Sequence, residues 1–141
     1  MPSKATASGL TGMSGNYLLD TSVLIELFAR DAEILARLEK AESTFIPSIA
    51  LGELHYGARK SSRMEKNLEQ LEQLASTVIV LPCDSETSYW YGIVKDGLRR
   101  TGQPIPENDI WIAAMALQYG LTLATRDKHF QTVENLKTEM W

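Results

Sequence analysis

Short runs of β-branched and aliphatic residues alternate along this chain with stretches in which apolar side chains return every three or four positions. YLLD (17–20), STFIPS (43–48), TVIVLP (77–82) and LTLATRD (121–127) read as strands, the second and third stopped by Pro47 and Pro82. Between them the helical period predicts helices over residues 22–29, 32–41, 49–60, 64–74 and 85–100. Thr21 or Ser22 is placed to cap the first of these, and Ser48 the third. On the last, Trp90, Ile93, Val94 and Leu98 fall on the inward face. DIWIAAMALQYG (109–120) is apolar on nearly every side, which predicts a helix buried in the centre of the fold, with Gly120 as its C-terminal cap. VENLKTEMW (133–141) supplies an edge strand. Strands alternating with helices define an α/β domain with a mainly parallel sheet.

A chain of 141 residues fits one domain. Residues 1–15, MPSKATASGLTGMSG, are small and polar and read as a disordered N-terminal extension, with Met13 a candidate start; residues 16–141 form the folded domain. Apolar residues at 44% and charged residues at 23% are ordinary globular values. The longest apolar runs are too short for a membrane span, and no secretory leader opens the chain. A single cysteine, Cys83, excludes an internal disulfide and a Cys-based zinc site. A cytoplasmic protein is expected. The net charge of −4 gives no overall basic signature of a nucleic-acid binder, yet Arg59, Lys60, Arg63 and Lys66 form one local basic group and Lys95, Arg99 and Arg100 another. Such groups are either solvated helix faces or contacts for a polyanion.

Four acids stand in apolar surroundings. Asp20 ends the first strand, Glu53 faces inward from its helix among Ile49, Ala50, Leu54, Gly57 and Ala58, Asp109 opens the most hydrophobic helix, and Asp127 leaves the fourth strand. Ligands of open parallel sheets bind outside the carboxyl ends of the strands, so a fold that gathers these ends gathers the acids. Each also has a plainer role open to it. Asp109 or Asn108 can cap a helix, Asp20 and Asp127 can serve as turn residues, and Glu53 can pair with a buried cation. If the acids do meet, their repulsion raises some of their pKa values, and a divalent cation removes the conflict. Oxygen donors without a convincing histidine or thiol suit Mg²⁺, with Mn²⁺ as a substitute. Such an ion serves phosphodiester hydrolysis.

YLLDTSVLIEL, IPSIALGELHYGA, PENDIWIAAMAL and LTLATRDKHF, together spanning Tyr17 to Phe130, resemble the PIN domains and, among them, the VapC-type toxins of bacterial toxin–antitoxin pairs. The resemblance implies an α/β/α sandwich with a mainly parallel central sheet and a Mg²⁺-dependent endoribonuclease. Asp20, Glu53, Asp109 and Asp127 match the family's acids, with Asp20 and Asp109 as metal ligands. Thr21, Ser22 and Thr125 occupy small hydroxyl positions that bond the acids or the metal's waters, and Glu107 is a candidate outer acid. The resemblance further implies RNA as substrate, homodimers, and a complex or larger assembly with a small antitoxin protein through which DNA is bound.

Two other functions fit the same residues: a non-catalytic antitoxin-binding module and a metal-dependent phosphatase. His55 suits a surface better than a metal site, and Tyr89, Trp90 and Tyr91 suit packing better than base stacking. No GxSxG, GxGxxG or P-loop pattern occurs, and Ser22 stands where a DxD phosphatase needs its second aspartate.

Overall fold

Five short strands, β1 (Asn16–Leu19), β2 (Ser43–Pro47), β3 (Ile79–Leu81), β4 (Thr122–Thr125) and β5 (Thr138–Met140), form one sheet in the order β3-β2-β1-β4-β5, every neighbouring pair parallel. They come from a computed structural model that describes residues 15–141; nearly all of the expected N-terminal extension lies outside the described residues. Helices α1 (Thr21–Phe28) and α2 (Ala32–Lys40) join β1 to β2, and α3 (Ser48–Lys60) and α4 (Met64–Thr77) join β2 to β3. The chain then crosses back through α5 (Ser85–Thr101) and α6 (Glu107–Tyr119) to β4, and a single 3₁₀ turn (Lys128–Thr132) precedes β5. The result is an α/β/α sandwich with the expected parallel sheet.

The inner strands are covered on both faces, which is why their sequences read as unbroken apolar runs. Leu18, Leu19, Leu123 and Ala124 are all buried. The strand order reverses between β1 and β4, because the first three strands build outward on one side and the last two on the other. Leu19 pairs with Ala124, and the Asp20 amide donates to the Ala124 carbonyl at 3.0 Å. Asp20 and Thr125 therefore leave the sheet side by side at the point where an open parallel sheet makes its binding crevice.

Helix α6 is the central helix that its composition predicts: Ile110, Ile112 to Ala116, Gln118 and Tyr119 are buried, and Gly120 ends it in the left-handed region at φ 67°. The small residues Ala113, Ala114 and Ala116 let neighbouring elements approach closely. Its one buried amide is not stranded. The Thr87 hydroxyl donates to Gln118 Oε1, and Gln118 Nε2 donates to Asp84 Oδ1 at 2.9 Å. Asp84 also accepts from the amides of Glu86 and Thr87 in a capping box at the start of α5.

Three local expectations are corrected. Helix α1 is entered from Asp20, not capped by Thr21 or Ser22, and α3 is entered from Pro47, with Ser48 already helical. Ile93 is 46% exposed, because α5 buries the stripe of Val94 and Leu98 and leaves Ile93 beside it. Of the two basic groups, the second is ion-paired within the fold, Lys95 with Glu107 and both Arg99 and Arg100 with the single Asp96.

Thr87→Val removes the buried hydroxyl without changing volume much and strands the Gln118 carbonyl oxygen. We expect it to lower the unfolding free energy by about 1–3 kcal/mol, read from urea midpoints. An unchanged midpoint would show that the polar ring adds nothing.

Candidate active site

Asp20 is 1% exposed, yet its carboxylate does not cap the helix that follows. Its two oxygens are treated very differently. Oδ2 accepts from Ser22 Oγ and from Thr125 Oγ1, both at 2.8 Å. These hydroxyls are themselves held in place, since Ser22 Oγ accepts the Arg126 amide at 3.1 Å and Thr125 Oγ1 accepts the Asp127 amide at 2.9 Å. Both hydroxyl protons therefore point at Asp20. Oδ1 is buried and has no hydrogen-bond partner among the described residues. Burial raises the Asp20 pKa above the usual carboxylate range, the two hydroxyls and the Thr21 amide oppose that, and the charge of Asp127 adds to it.

Glu53 reaches the same region from the second turn of α3, where Thr21 Oγ1 donates to its Oε1 at 2.7 Å. The first two residues of α1 thus serve the neighbouring acids with their side chains rather than the helix end. Asp109 is the third residue of α6, whose N-cap is Pro106 without a side-chain bond, so Asp109 does not cap either. Its carboxyl is pushed up to about 6, first by burial, with the charges of Asp20 and Glu53 adding and the hydrogen bond to His129 opposing. Asp20 and Glu53 are thus both within electrostatic reach of Asp109.

His129 is the residue that sequence reasoning passed over. The 3₁₀ turn after β4 sets its Nε2 2.7 Å from Asp109 Oδ2 and its Nδ1 3.8 Å from Asp127 Oδ1. One ligand atom each from Asp109, Asp127 and His129 lies within 4.8 Å of the others, and Asp20 stands outside this tightest group. The only sequence signal was its place two residues after Asp127, in LTLATRDKHF. The tightest donor set is thus two carboxylates and an imidazole, which corrects the expectation of oxygen donors without a histidine; Asp20 and Glu53 lie outside it.

Among the described residues no lysine or arginine pairs with Asp20, Glu53, Asp109 or Asp127. Arg126, next to Asp127 in sequence, is turned away. Its guanidinium meets Asp31 at 3.2 Å and Glu26 at 3.8 Å and bonds the Trp141 carbonyl. Glu107 also leaves the group, ion-paired with Lys95 on α5. A cavity of about 390 Å³ lies beside Glu53, walled by Ile25, Phe28, Leu54 and Leu71, with Thr21 also on its lining.

This fold and this acidic crevice define a known class. Residues 17–136 match the PIN domain family model. The chain is 37% identical to Ribonuclease VapC2 of Haemophilus influenzae, covering 89% of this chain and 97% of that one. It is 33% identical, at the same coverage, to the tRNA(fMet)-specific endonuclease VapC of Shigella flexneri. Among solved structures it resembles VapBC2 of Rickettsia felis bound to a DNA fragment from its promoter, with a TM-score of 0.84, 30% identity and coverage of 89% and 98%. The chain belongs to the PIN domain family, in its VapC-type branch.

The pKa of Asp109 fixes the sign of a stability change with pH. Its folded value of about 6 lies above the usual unfolded value near 4, so its ionisation opposes folding. Its contribution is fully present below pH about 4 and is lost as the pH rises through about 6. In EDTA, the wild type should lose roughly 1–3 kcal/mol over that window relative to Asp109→Asn, measured by urea unfolding at a series of pH values. Parallel curves for the two proteins would contradict the assignment.

Proposed function

We propose that this chain is a Mg²⁺-dependent endoribonuclease, the toxin of a toxin–antitoxin pair, with Mn²⁺ able to substitute. The observation that carries the reading is the meeting of Asp20, Glu53, Asp109 and Asp127 at the switch point of the sheet with no lysine or arginine among the described residues to neutralise them. The buried Oδ1 of Asp20, without a hydrogen-bond partner among the described residues, is the expected mark of a carboxylate oxygen reserved for a cation. A set dominated by carboxylate oxygens suits a hard divalent ion. Asp20 and Asp109 would hold it, with Asp127 and Glu53 close by. When bound, the ion supplies Lewis acidity toward a phosphodiester and toward water.

The chain's own residues do the rest. Ser22 and Thr125 fix the rotation of Asp20 by donating to Oδ2, which leaves Oδ1 without a hydrogen-bond partner among the described residues. Thr21 fixes Glu53 in the same way, and His129 fixes Asp109. The relatives named Ribonuclease VapC2 and tRNA(fMet)-specific endonuclease VapC support RNA as the substrate class. Solved VapBC complexes from Rickettsia felis and Salmonella typhimurium, both bound to DNA, support a cognate antitoxin partner that carries DNA binding to the pair. A homodimeric toxin within such an assembly, acting in the cytoplasm, completes the proposal. Among the described residues no helix is long and apolar enough to cross a membrane.

Purified protein should cleave RNA with Mg²⁺ or Mn²⁺ and stop with EDTA. Asp20→Asn and Asp109→Asn should each slow cleavage by about a hundredfold or more while antitoxin binding persists, because an acid lost from the ligand set costs more than an outer partner does. Wild-type rates in either variant would remove the proposed site. Faster turnover of a phosphomonoester than of RNA would make the protein a phosphatase instead.

A further inference from the structure

The two basic groups of the sequence have opposite fates in the fold. Lys95, Arg99 and Arg100 are ion-paired, whereas none of Arg59, Lys60, Arg63 and Lys66 forms an ion pair among the described residues, and all four are exposed. They surround the corner where α3 ends and α4 begins, with Glu65 the single acid within residues 59–66.

Helix electrostatics explains only half of this charge. Arg59 and Lys60 close α3, where cations complement the negative end of the helix dipole. Arg63 and Lys66 stand at the start of α4, where cations oppose the dipole. Arg63 is the N-cap of α4 but accepts no amide with its side chain, at a position where serine or aspartate is favoured. Charge kept against local stability points to a ligand.

The corner is in line with the acids. Glu53, Tyr56, Gly57 and Lys60 fall at i, i+3, i+4 and i+7 of α3, so they share one face. Lys60 lies roughly 10 Å along the helix from Glu53. Tyr56 is 66% exposed, and Lys60 Nζ sits 4.6 Å from its ring centroid, a cation beside an aromatic face. Between them and Glu53 the strip is bare: a side-chain carbon added at Gly57 would meet nothing within 4 Å. A negatively charged, base-bearing strand fits this sequence of features, with stacking on Tyr56 and phosphates on the cations.

We propose that the α3–α4 corner is the docking edge for single-stranded RNA flanking the cleaved bond, with Lys60, Arg63 and Lys66 on backbone phosphates and Tyr56 stacked on a base. This rests on the proposed ribonuclease reading and adds the residues that position its substrate.

The test is binding of a fluorescent single-stranded RNA oligonucleotide to the full chain in EDTA, by anisotropy across a salt series. Each phosphate contact on single strands contributes about 0.7 to the slope of log affinity against log salt. A Lys60→Gln, Arg63→Ser, Lys66→Gln triple variant should lower that slope by about 2 and weaken binding at least tenfold. Its melting temperature should hold or rise, since Arg63→Ser restores a favoured cap. Tyr56→Leu should weaken binding by about 5- to 100-fold with the slope unchanged. An unchanged slope in the triple variant overturns the proposal, and so does loss of antitoxin affinity with RNA affinity intact, which would assign the corner to the protein partner. Cleavage of RNA by the wild type, measured beside these, tests the ribonuclease reading separately: cleavage with an unchanged slope sinks the docking edge alone.

Discussion

A carboxylate with one oxygen saturated and the other left bare, buried where the sheet reverses its strand order, sets the terms for the rest of this molecule. Two hydroxyls oriented by backbone amides hold Asp20 Oδ2, and Oδ1 has no partner among the described residues. An uncompensated buried carboxylate oxygen costs free energy that a purely structural residue would not retain. A cation bound at Oδ1, as proposed, would remove that cost. The β1–β4 register that pairs Leu19 with Ala124 brings Ser22, Thr125 and Asp127 into reach of Asp20, so the sheet's topology is part of the site's chemistry.

The other acids follow from the same logic. Helix α6 is buried along nearly its whole length, so the first turn that carries Asp109 has a fixed position against the sheet. Its carboxyl is raised by that burial and by its acidic neighbours, and only His129 opposes the rise. Anchoring by a packed helix and a hydrogen-bonded strand end keeps like charges close that would otherwise separate.

Most of the architecture was legible in the sequence because it depends on period. The four principal strands, the amphipathic helices and the all-round apolar α6 are each written in consecutive residues, and the acids stood out against that pattern. What could not be read was set by partners far along the chain. Thr21 and Ser22 looked like helix caps because capping is a local signal, but Glu53 claims the Thr21 hydroxyl across 32 residues, and Ser22 donates to Asp20, whose other hydroxyl donor, Thr125, lies 105 residues away. His129 meets Asp109 across 20 residues, through a 3₁₀ turn that has no hydrophobic period to announce it. Ile93 was misplaced because one helical stripe of α5, not the whole apolar set, meets α6.

The acids at the switch point and the cations at the α3–α4 corner give a weakly acidic chain a centre proposed to hold metal and a rim proposed to dock RNA. The centre is the part on which everything else depends. Anomalous scattering from Mn²⁺ in crystals of the protein would locate the ion directly. A peak in bonding contact with Asp20 Oδ1 and with Asp109 is the predicted result. A peak confined to Asp109, Asp127 and His129, with both oxygens of Asp20 out of contact, would contradict it.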